Sequence, residues 1–287
     1  MGTFSDSWRL TKISFGLIFQ DSALLVFPLV AGLSAIAVLA LFALGTFFLA
    51  PLLLVGGNLT TSYEVIGLVL FLVAYFSTTS ITVYATAALV GAATLKLEGQ
   101  QPTASDGWKI ARANLSRLLV WSLISATVGL LIQFLASRLR GAAGLVIGGI
   151  AGATWAIATY FVIPVILYQK STPWQSLGRS AKMFLNTFGR TLVTNIVLTL
   201  IIAAGIIAAA FLGIYGLFLI FLTSGGRTFV GVLFIVTGLG IGVLVGIIGA
   251  SAEGVLRAAL YRYATTGKID PDLMPQAYKV SVRGPLQ

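Results

Sequence analysis

The 287-residue sequence contains no cysteine and no histidine. Disulfide frameworks, thiolate nucleophiles, imidazole metal ligands and Ser-His-Asp triads are therefore excluded at the outset. Charge is scarce as well: 9% of residues are Asp, Glu, Lys or Arg, against about 25% in soluble domains. Only eight of them are acidic, and they are too scattered to offer a general acid/base pair or a metal cluster. No P-loop, H-E-x-x-H helix or G-x-S-x-G elbow occurs, and no lysine falls within a long hydrophobic run to assist a serine nucleophile. From these absences the expectation is a protein with no enzymatic activity, no cofactor and no metal.

What the chain has instead is apolar surface. Hydrophobic residues make up 58% and mean hydropathy is +1.00, which rules out a soluble globule. Six runs are long enough to cross a hydrocarbon core, which takes roughly 20 helical residues; they lie at about 23–54, 64–95, 116–136, 142–168, 191–222 and 229–264. The first exceeds the apolar region of a signal peptide and lacks a small-residue cleavage site, so it reads as a retained membrane helix. Of 18 Lys and Arg residues, 15 fall in the segments on the N-terminal side of the membrane and 3 in the opposite loops. By the positive-inside rule both termini are cytoplasmic. Because the net charge of +10 is partitioned by side rather than gathered on one recognition surface, nucleic acid is not an expected partner.

Each pair of spans follows a stretch opened by tryptophan. Two openings are nearly the same, Asp6-Ser7-Trp8-Arg9-Leu10 and Asp106-Gly107-Trp108-Lys109-Ile110; the third is Thr172-Pro173-Trp174-Gln175-Ser176. In the third, Thr172 is a good N-cap, Pro173 suits the first turn and Gln175 completes a capping box. Trp174, Leu177, Ala181, Phe184 and Phe188 fall within about 80° of one another on a helical wheel, with Arg179, Lys182 and Arg190 on another face. In the second opening Thr103 can cap with Asp106, and Trp108, Ala111, Leu115 and Leu118 share a stripe. Amphipathic helices of this kind lie at headgroup depth. The candidate contacts to anionic lipid headgroups are Trp8, Arg9, Lys12, Trp108, Lys109, Arg112, Trp174, Arg179 and Lys182.

Small residues recur every fourth position at Gly144, Gly148 and Gly152 and at Gly238, Gly242, Gly246, Ala250 and Gly254. Such stripes let membrane helices approach closely, either within one chain or across the seam of a homo-oligomer. A candidate polar path runs through Ser77, Thr78, Thr79, Ser80 and Thr82 in the second span, with Asn195 in the fifth. Thr127, Gln133, Thr154, Thr159, Thr194 and Thr199 could join it, although hydroxyls in a helix can also bond back to their own carbonyls. Acids deep in the spans, the usual mark of ion coupling, are nearly absent. Glu253 and Arg257 stand in the favoured order for an i,i+4 bridge and read as a structural pair or as part of a vestibule.

Several stretches carry a resemblance: Ser7-Trp8-Arg9-Leu10, residues 121–129 (WSLISATVG), 153–164 (ATWAIATYFVIP) and 259–267 (ALYRYATTG). The chain resembles an uncharacterised family of prokaryotic six-span membrane proteins and, more remotely, the membrane domain attached to some bacterial glycerophosphodiester phosphodiesterases. The family pattern implies an acidic residue near the end of span four, where this chain has Gln169-Lys170. No catalytic residue is carried over by the resemblance.

The expected fold is an all-α polytopic bundle of six transmembrane helices arranged as three hairpins, each preceded by a cytoplasmic interfacial amphipathic helix. Residues 1–268 would form one membrane domain of three parallel units (about 1–95, 103–168 and 172–266), followed by a cytoplasmic tail, 269–287. The expected role is membrane organisation or scaffolding through a basic face that meets anionic lipid or a peripheral protein. The alternative is a channel or facilitator for a small solute, with a Ser/Thr-lined path.

Overall fold

The computed structural model describes residues 23–54, 60–139, 142–186, 188–222 and 228–266. The first Trp-led opening, with Trp8, Arg9 and Lys12, lies outside the described residues, as does the tail 269–287. Among the described residues all regular structure is helical: α1 (Ala23–Leu54), α2 (Thr60–Leu97), α3 (Ala104–Ala113), α4 (Leu115–Arg138), α5 (Ala142–Thr159), α6 (Val162–Gln169), α7 (Pro173–Asn186), α8 (Phe188–Leu222) and α9 (Thr228–Thr266). Six segments are long and apolar enough to cross a membrane, so the chain is a multi-pass, all-α helical bundle. α2 and α9 hold 38 and 39 residues, or nearly 60 Å at about 1.5 Å per residue, so each overruns a core of about 30 Å.

Three antiparallel pairs carry the packing: α1 with α2, α4 with α5–α6, and α8 with α9. α2 is the common neighbour, touching α1, α3, α4, α6 and α9. The buried core gathers at one end of the bundle, where odd spans begin and even spans finish: Leu24 and Phe27, the alanine-rich 85–93 stretch, Leu118 and Trp121, Phe161 to Leu167, and Ala252 to Tyr261. Lipid gives helices no hydrophobic reason to associate, so contact depends on close van der Waals packing, which small side chains permit. Ala87, Ala88, Ala92 and Ala93 supply that on α2. Away from this end the helices present large apolar side chains outward, among them Leu41, Phe47, Leu135, Leu145, Phe221 and Phe229, which suits hydrocarbon contact.

The glycine stripes divide among partners. A Cβ on Gly144 would stand 2.6 Å from the Ala136 carbonyl oxygen and one on Gly148 2.8 Å from the Ala136 methyl, so both seat α5 on α4; around Gly152 there is open space. On α9, Gly238 lies against the Ala209 carbonyl (2.7 Å) and Gly242 against the Ala209 methyl (3.6 Å), Gly246 has nothing nearby, and Gly254 meets Leu89 of α2. At about 100° per residue a four-residue spacing drifts 40° per step, and 160° from Gly238 to Gly254. The expected continuous face is thus a spiral. The actual α8–α9 seam uses Gly231, Gly238 and Gly249, which stay within about 20° of one another and meet Gly216, Ala209 and Ile202.

Span four, expected as one run, is broken at Tyr160–Phe161 into α5 and α6. Pro164 has no N–H to donate to the Tyr160 carbonyl, and its ring crowds that carbonyl. Phe161 resumes the helix by accepting from Val165 at 3.0 Å, and the Phe161 N–H left over at the break donates to Ser180 Oγ of α7 at 2.9 Å. α6 ends at Lys170 in the left-handed region, φ 48°.

Both described Trp-led helices form where expected, with different faces inward. In α3, Gly107 sits directly on α2 and α1, where a Cβ would come within 2.6 Å of the Ala88 carbonyl oxygen and the Phe27 ring. In α7 the capping box is present, Thr172 N–H to Gln175 Oε1 and Gln175 N–H to Thr172 Oγ1, both 3.4 Å. Its buried face is Pro173, Ser176, Ser180 and Phe184, whereas Trp174, placed on the apolar stripe by periodicity, is 65% exposed. The serines take the inner face because each is satisfied there: Ser176 hydrogen-bonds Ser171 Oγ at 2.8 Å, and Ser180 accepts from Phe161.

Candidate functional site

All three hairpins border a cavity of about 440 Å³, within the range of small-molecule pockets. Thr82, Val83 and Thr86 come from α2, Trp121 and Ser125 from α4. Ala156, Thr159, Tyr160 and Ile163 flank the break between α5 and α6, and Ala250, Glu253, Gly254 and Arg257 come from α9. Thr86 and Glu253 stand 11 and 13 residues before the ends of α2 and α9, or roughly 15–20 Å along the helices from those ends.

The helix break shapes this site. Where α5 gives way to α6, Thr159 and Tyr160 face the cavity, and Tyr160 is fixed by edge-on contacts with Phe161 (4.8 Å) and Phe184 (5.7 Å). Trp121, also in the lining, stacks on Trp155 at 5.9 Å. Thr82, Thr86 and Thr159 each donate to the carbonyl one turn back, at 2.9, 2.7 and 2.8 Å. Their protons are spent, and their oxygens face outward as acceptors.

The cavity's charge is one ion pair. Arg257 Nη2 donates to Glu253 Oε1 at 2.5 Å, the arginine side chain being 17% exposed and the glutamate 48%. The guanidinium also stands over the Tyr160 ring, 5.1 Å from its centre, a cation–π arrangement. Arg257 Nε is buried and has no hydrogen-bond partner. The pair is the i,i+4 bridge read from the sequence, set against a cavity rather than at a helix end.

Of the residues expected along a polar path, Thr82 lines this cavity, and Thr159, named as a companion, joins it. Ser77, Thr78, Thr79 and Ser80 lie on the same helix within one and a half turns of Thr82 and are not among its lining residues. Thr78 and Thr79 bond back to Ala74 and Tyr75, both at 2.8 Å, and Ser80 Oγ is buried without a partner. Asn195 is in α8, and its side chain lies outside the described residues, like that of Thr194. Thr127 and Thr154 are exposed and back-bonded to Leu123 and Ile150; Gln133 and Thr199 are exposed. The sequence reading did not single out Thr86, Trp121, Ser125 or Tyr160 for a site. A signal existed: the stretches 121–129 and 153–164, which carry the resemblance, supply Trp121, Ser125, Ala156, Thr159, Tyr160 and Ile163.

The candidate headgroup residues separate by helix. Trp108 is held inside the protein between Phe27 (5.1 Å) and Tyr84 (5.3 Å), so its ring serves packing. Lys109, Arg112, Trp174, Arg179 and Lys182 are exposed. Lys109 bridges Asp106 at 3.1 Å. The Asp106 carboxyl accepts the Thr103 hydroxyl at 2.7 Å and the Thr103 N–H at 3.0 Å; these bonds, the hydroxyl first, and Lys109 hold its pKa down at about 2. Arg179 donates to Gln169 Oε1 at 2.9 Å, and Gln169 donates to Tyr261 Oη at 3.3 Å. Gln169, at the place where the family pattern implies an acid, thereby joins α6, α7 and α9.

No curated protein and no solved structure matches the chain. Residues 62–270, which include every residue lining the cavity, match DUF6159, a family of unknown function, and the chain belongs to that family.

Proposed function

We propose that this is a non-enzymatic membrane protein that takes a small solute into the cavity between its hairpins and passes it across the bilayer as a facilitator. The observation that supports this reading is the cavity itself, walled by all three hairpins and combining acceptor oxygens, aromatic faces and an ion pair. Pockets with few polar groups set among apolar walls are the usual form of small-molecule sites, and ionisable groups at membrane depth point to function. From the cavity a ladder of hydroxyls, Thr86, Thr82 and Thr78, each one turn from the next, continues along α2. Uptake of a panel of small polar solutes into proteoliposomes tests the reading. Thr82→Leu and Thr86→Leu, which put apolar branches into the cavity, are expected to cut flux at least fivefold; unchanged flux, or none for any solute with wild type, overturns it.

A second reading, membrane organisation through a basic face, is favoured by a separate observation: Lys109, Arg112, Arg179 and Lys182 are exposed on α3 and α7, beside an exposed Trp174. Basic surfaces of this kind attract anionic lipid at about 1 kcal/mol per cation. In this reading the face is cytoplasmic, in the plasma or inner membrane, and its partners are anionic lipids, a second copy of the chain or a peripheral protein. Replacing Lys109, Arg112, Arg179 and Lys182 with Gln is expected to abolish thermal stabilisation by phosphatidylglycerol over phosphatidylcholine; no difference between the two lipids for wild type overturns it.

A further inference from the structure

We infer that the cavity is built for an anionic solute, recognised by Arg257, with Glu253 holding the guanidinium when no ligand is bound. The inference rests on the solute-binding reading above and assigns the chemical class of the ligand.

Arg257, 17% exposed, gives up most of its hydration for one hydrogen bond to a half-exposed glutamate, an exchange that does not account for the pair by stability alone. Arg257 is also under-used. A guanidinium carries five N–H donors, and here one of them meets Glu253 while Nε, buried, meets nothing. A carboxylate or phosphate can take two of those donors in parallel, the geometry for which arginine is best suited. Glu253, which already accepts from Arg257, is the more exposed member, 48% against 17%, and so is free to swing away when a ligand anion replaces it.

The sign is set by Arg257 alone: Thr82, Thr86 and Thr159 have given their protons to carbonyls and remain as acceptors, so they suit a donor group on the body of the ligand and leave the anion to the guanidinium. The Tyr160 ring lies against the guanidinium and Trp121 lines the same cavity, which favours an anion attached to a planar or apolar body. By the sequence reading, 15 of the 18 Lys and Arg residues lie on one side of the membrane, which biases anions toward that side by long-range attraction.

Benzoate is a suitable probe, with benzyl alcohol and benzylamine as neutral and cationic counterparts of nearly the same shape. Binding of radiolabelled benzoate to the full-length protein in phosphatidylcholine nanodiscs is expected to saturate. Benzyl alcohol should compete at least tenfold more weakly, and benzylamine not at all. Glu253→Gln frees the guanidinium and is expected to tighten benzoate five- to tenfold. Arg257→Met is expected to weaken benzoate at least tenfold while leaving benzyl alcohol unchanged; the double variant Glu253→Gln/Arg257→Met carries no orphan charge and serves the same purpose where the single change fails to fold. Benzoate bound equally by wild type and the arginine variants, or benzylamine preferred, overturns the anion inference alone. Failure of both benzoate and benzyl alcohol to bind overturns the solute-binding reading with it.

Discussion

Ser180 of α7 accepts the backbone N–H of Phe161 at 2.9 Å, across the break in span four. The break that Pro164 imposes leaves this donor without a partner in its own helix, and Ser180, fully buried, is the group that satisfies it. α7 thus fixes the bend that brings Tyr160 to the cavity. Ser180→Ala strands a buried N–H and is expected to cost about 1–3 kcal/mol, read as a lower midpoint in thermal unfolding in detergent. Ser176→Ala, whose partner Ser171 keeps a hydroxyl of its own, should cost less. Equal midpoints for Ser180→Ala and wild type would show that the bend needs no support from α7.

The α8–α9 seam separates glycines that look alike in sequence. A methyl at Gly238 would collide with the backbone of Ala209 and Gly213 at 2.7 and 2.9 Å, whereas one at Gly246 meets open space. Backbone cannot swing aside as a side chain can, so Gly238→Ala is expected to destabilise by about 1–3 kcal/mol. Gly246→Ala should be neutral or slightly stabilising, by at most about 1 kcal/mol from helix propensity. Matched unfolding midpoints for the two variants would contradict this assignment of the seam.

The spans were legible because a run of twenty apolar residues leaves the backbone one way to satisfy itself in lipid, as helix. Hairpin pairing followed from short loops, and the caps of α3 and α7 from Thr103-Asp106 and Thr172-Gln175. What the sequence did not disclose was which face of each helix turns inward. Periodicity put Trp174 on the apolar stripe of α7, where the ring is exposed, but hydrophobicity does not separate an exposed ring from a packed one, and buried Ser176 and Ser180 look polar until their partners are known. The glycine stripes mark helix contacts at Gly144, Gly148, Gly238, Gly242 and Gly254, but not one continuous face, since four-residue spacing drifts around the helix and Gly231, Gly238 and Gly249 are the ones that keep one azimuth on the α8–α9 seam. The Glu253–Arg257 pair was readable as a bridge from its spacing alone. That it borders a cavity depends on Trp121 and Tyr160, more than ninety residues away in sequence.

Asp106 gives α3 a pH dependence with a defined sign. Its carboxyl is held at about 2 against an ordinary value of 3.8, chiefly by the Thr103 hydroxyl and then the Thr103 N–H and Lys109. A carboxyl whose folded pKa is depressed stabilises the fold above its unfolded pKa, and the contribution is lost as pH falls through the folded value. The capping box should therefore hold at neutral pH and weaken between about pH 4 and pH 2. Thr103→Val removes the hydroxyl and is expected to move the carboxyl back toward 3.8, measured by carbon-detected NMR titration of labelled aspartate. A carboxyl that stays near 2 in this variant would assign the depression to the backbone N–H of residue 103 and Lys109 instead.

The Glu253–Arg257 pair sets a test of whether its charges stabilise the fold at all. Neutralising one partner leaves the other facing a low-dielectric cavity, and the cost is larger for an orphaned arginine, which is 17% exposed, than for a glutamate at 48%. Glu253→Gln should therefore lower the unfolding midpoint more than Arg257→Met. Replacing a buried pair with neutral groups of similar size is often neutral or stabilising, so Glu253→Gln/Arg257→Met is expected to unfold at or above the midpoint of Glu253→Gln. Non-additivity of about 1 kcal/mol or more would show that the two charges are coupled, and a double variant as stable as wild type would mean that the pair is retained for something other than stability, as a ligand site requires. A double variant less stable than both single ones would instead mark the two residues as independent supports of the fold, each acting through its own packing.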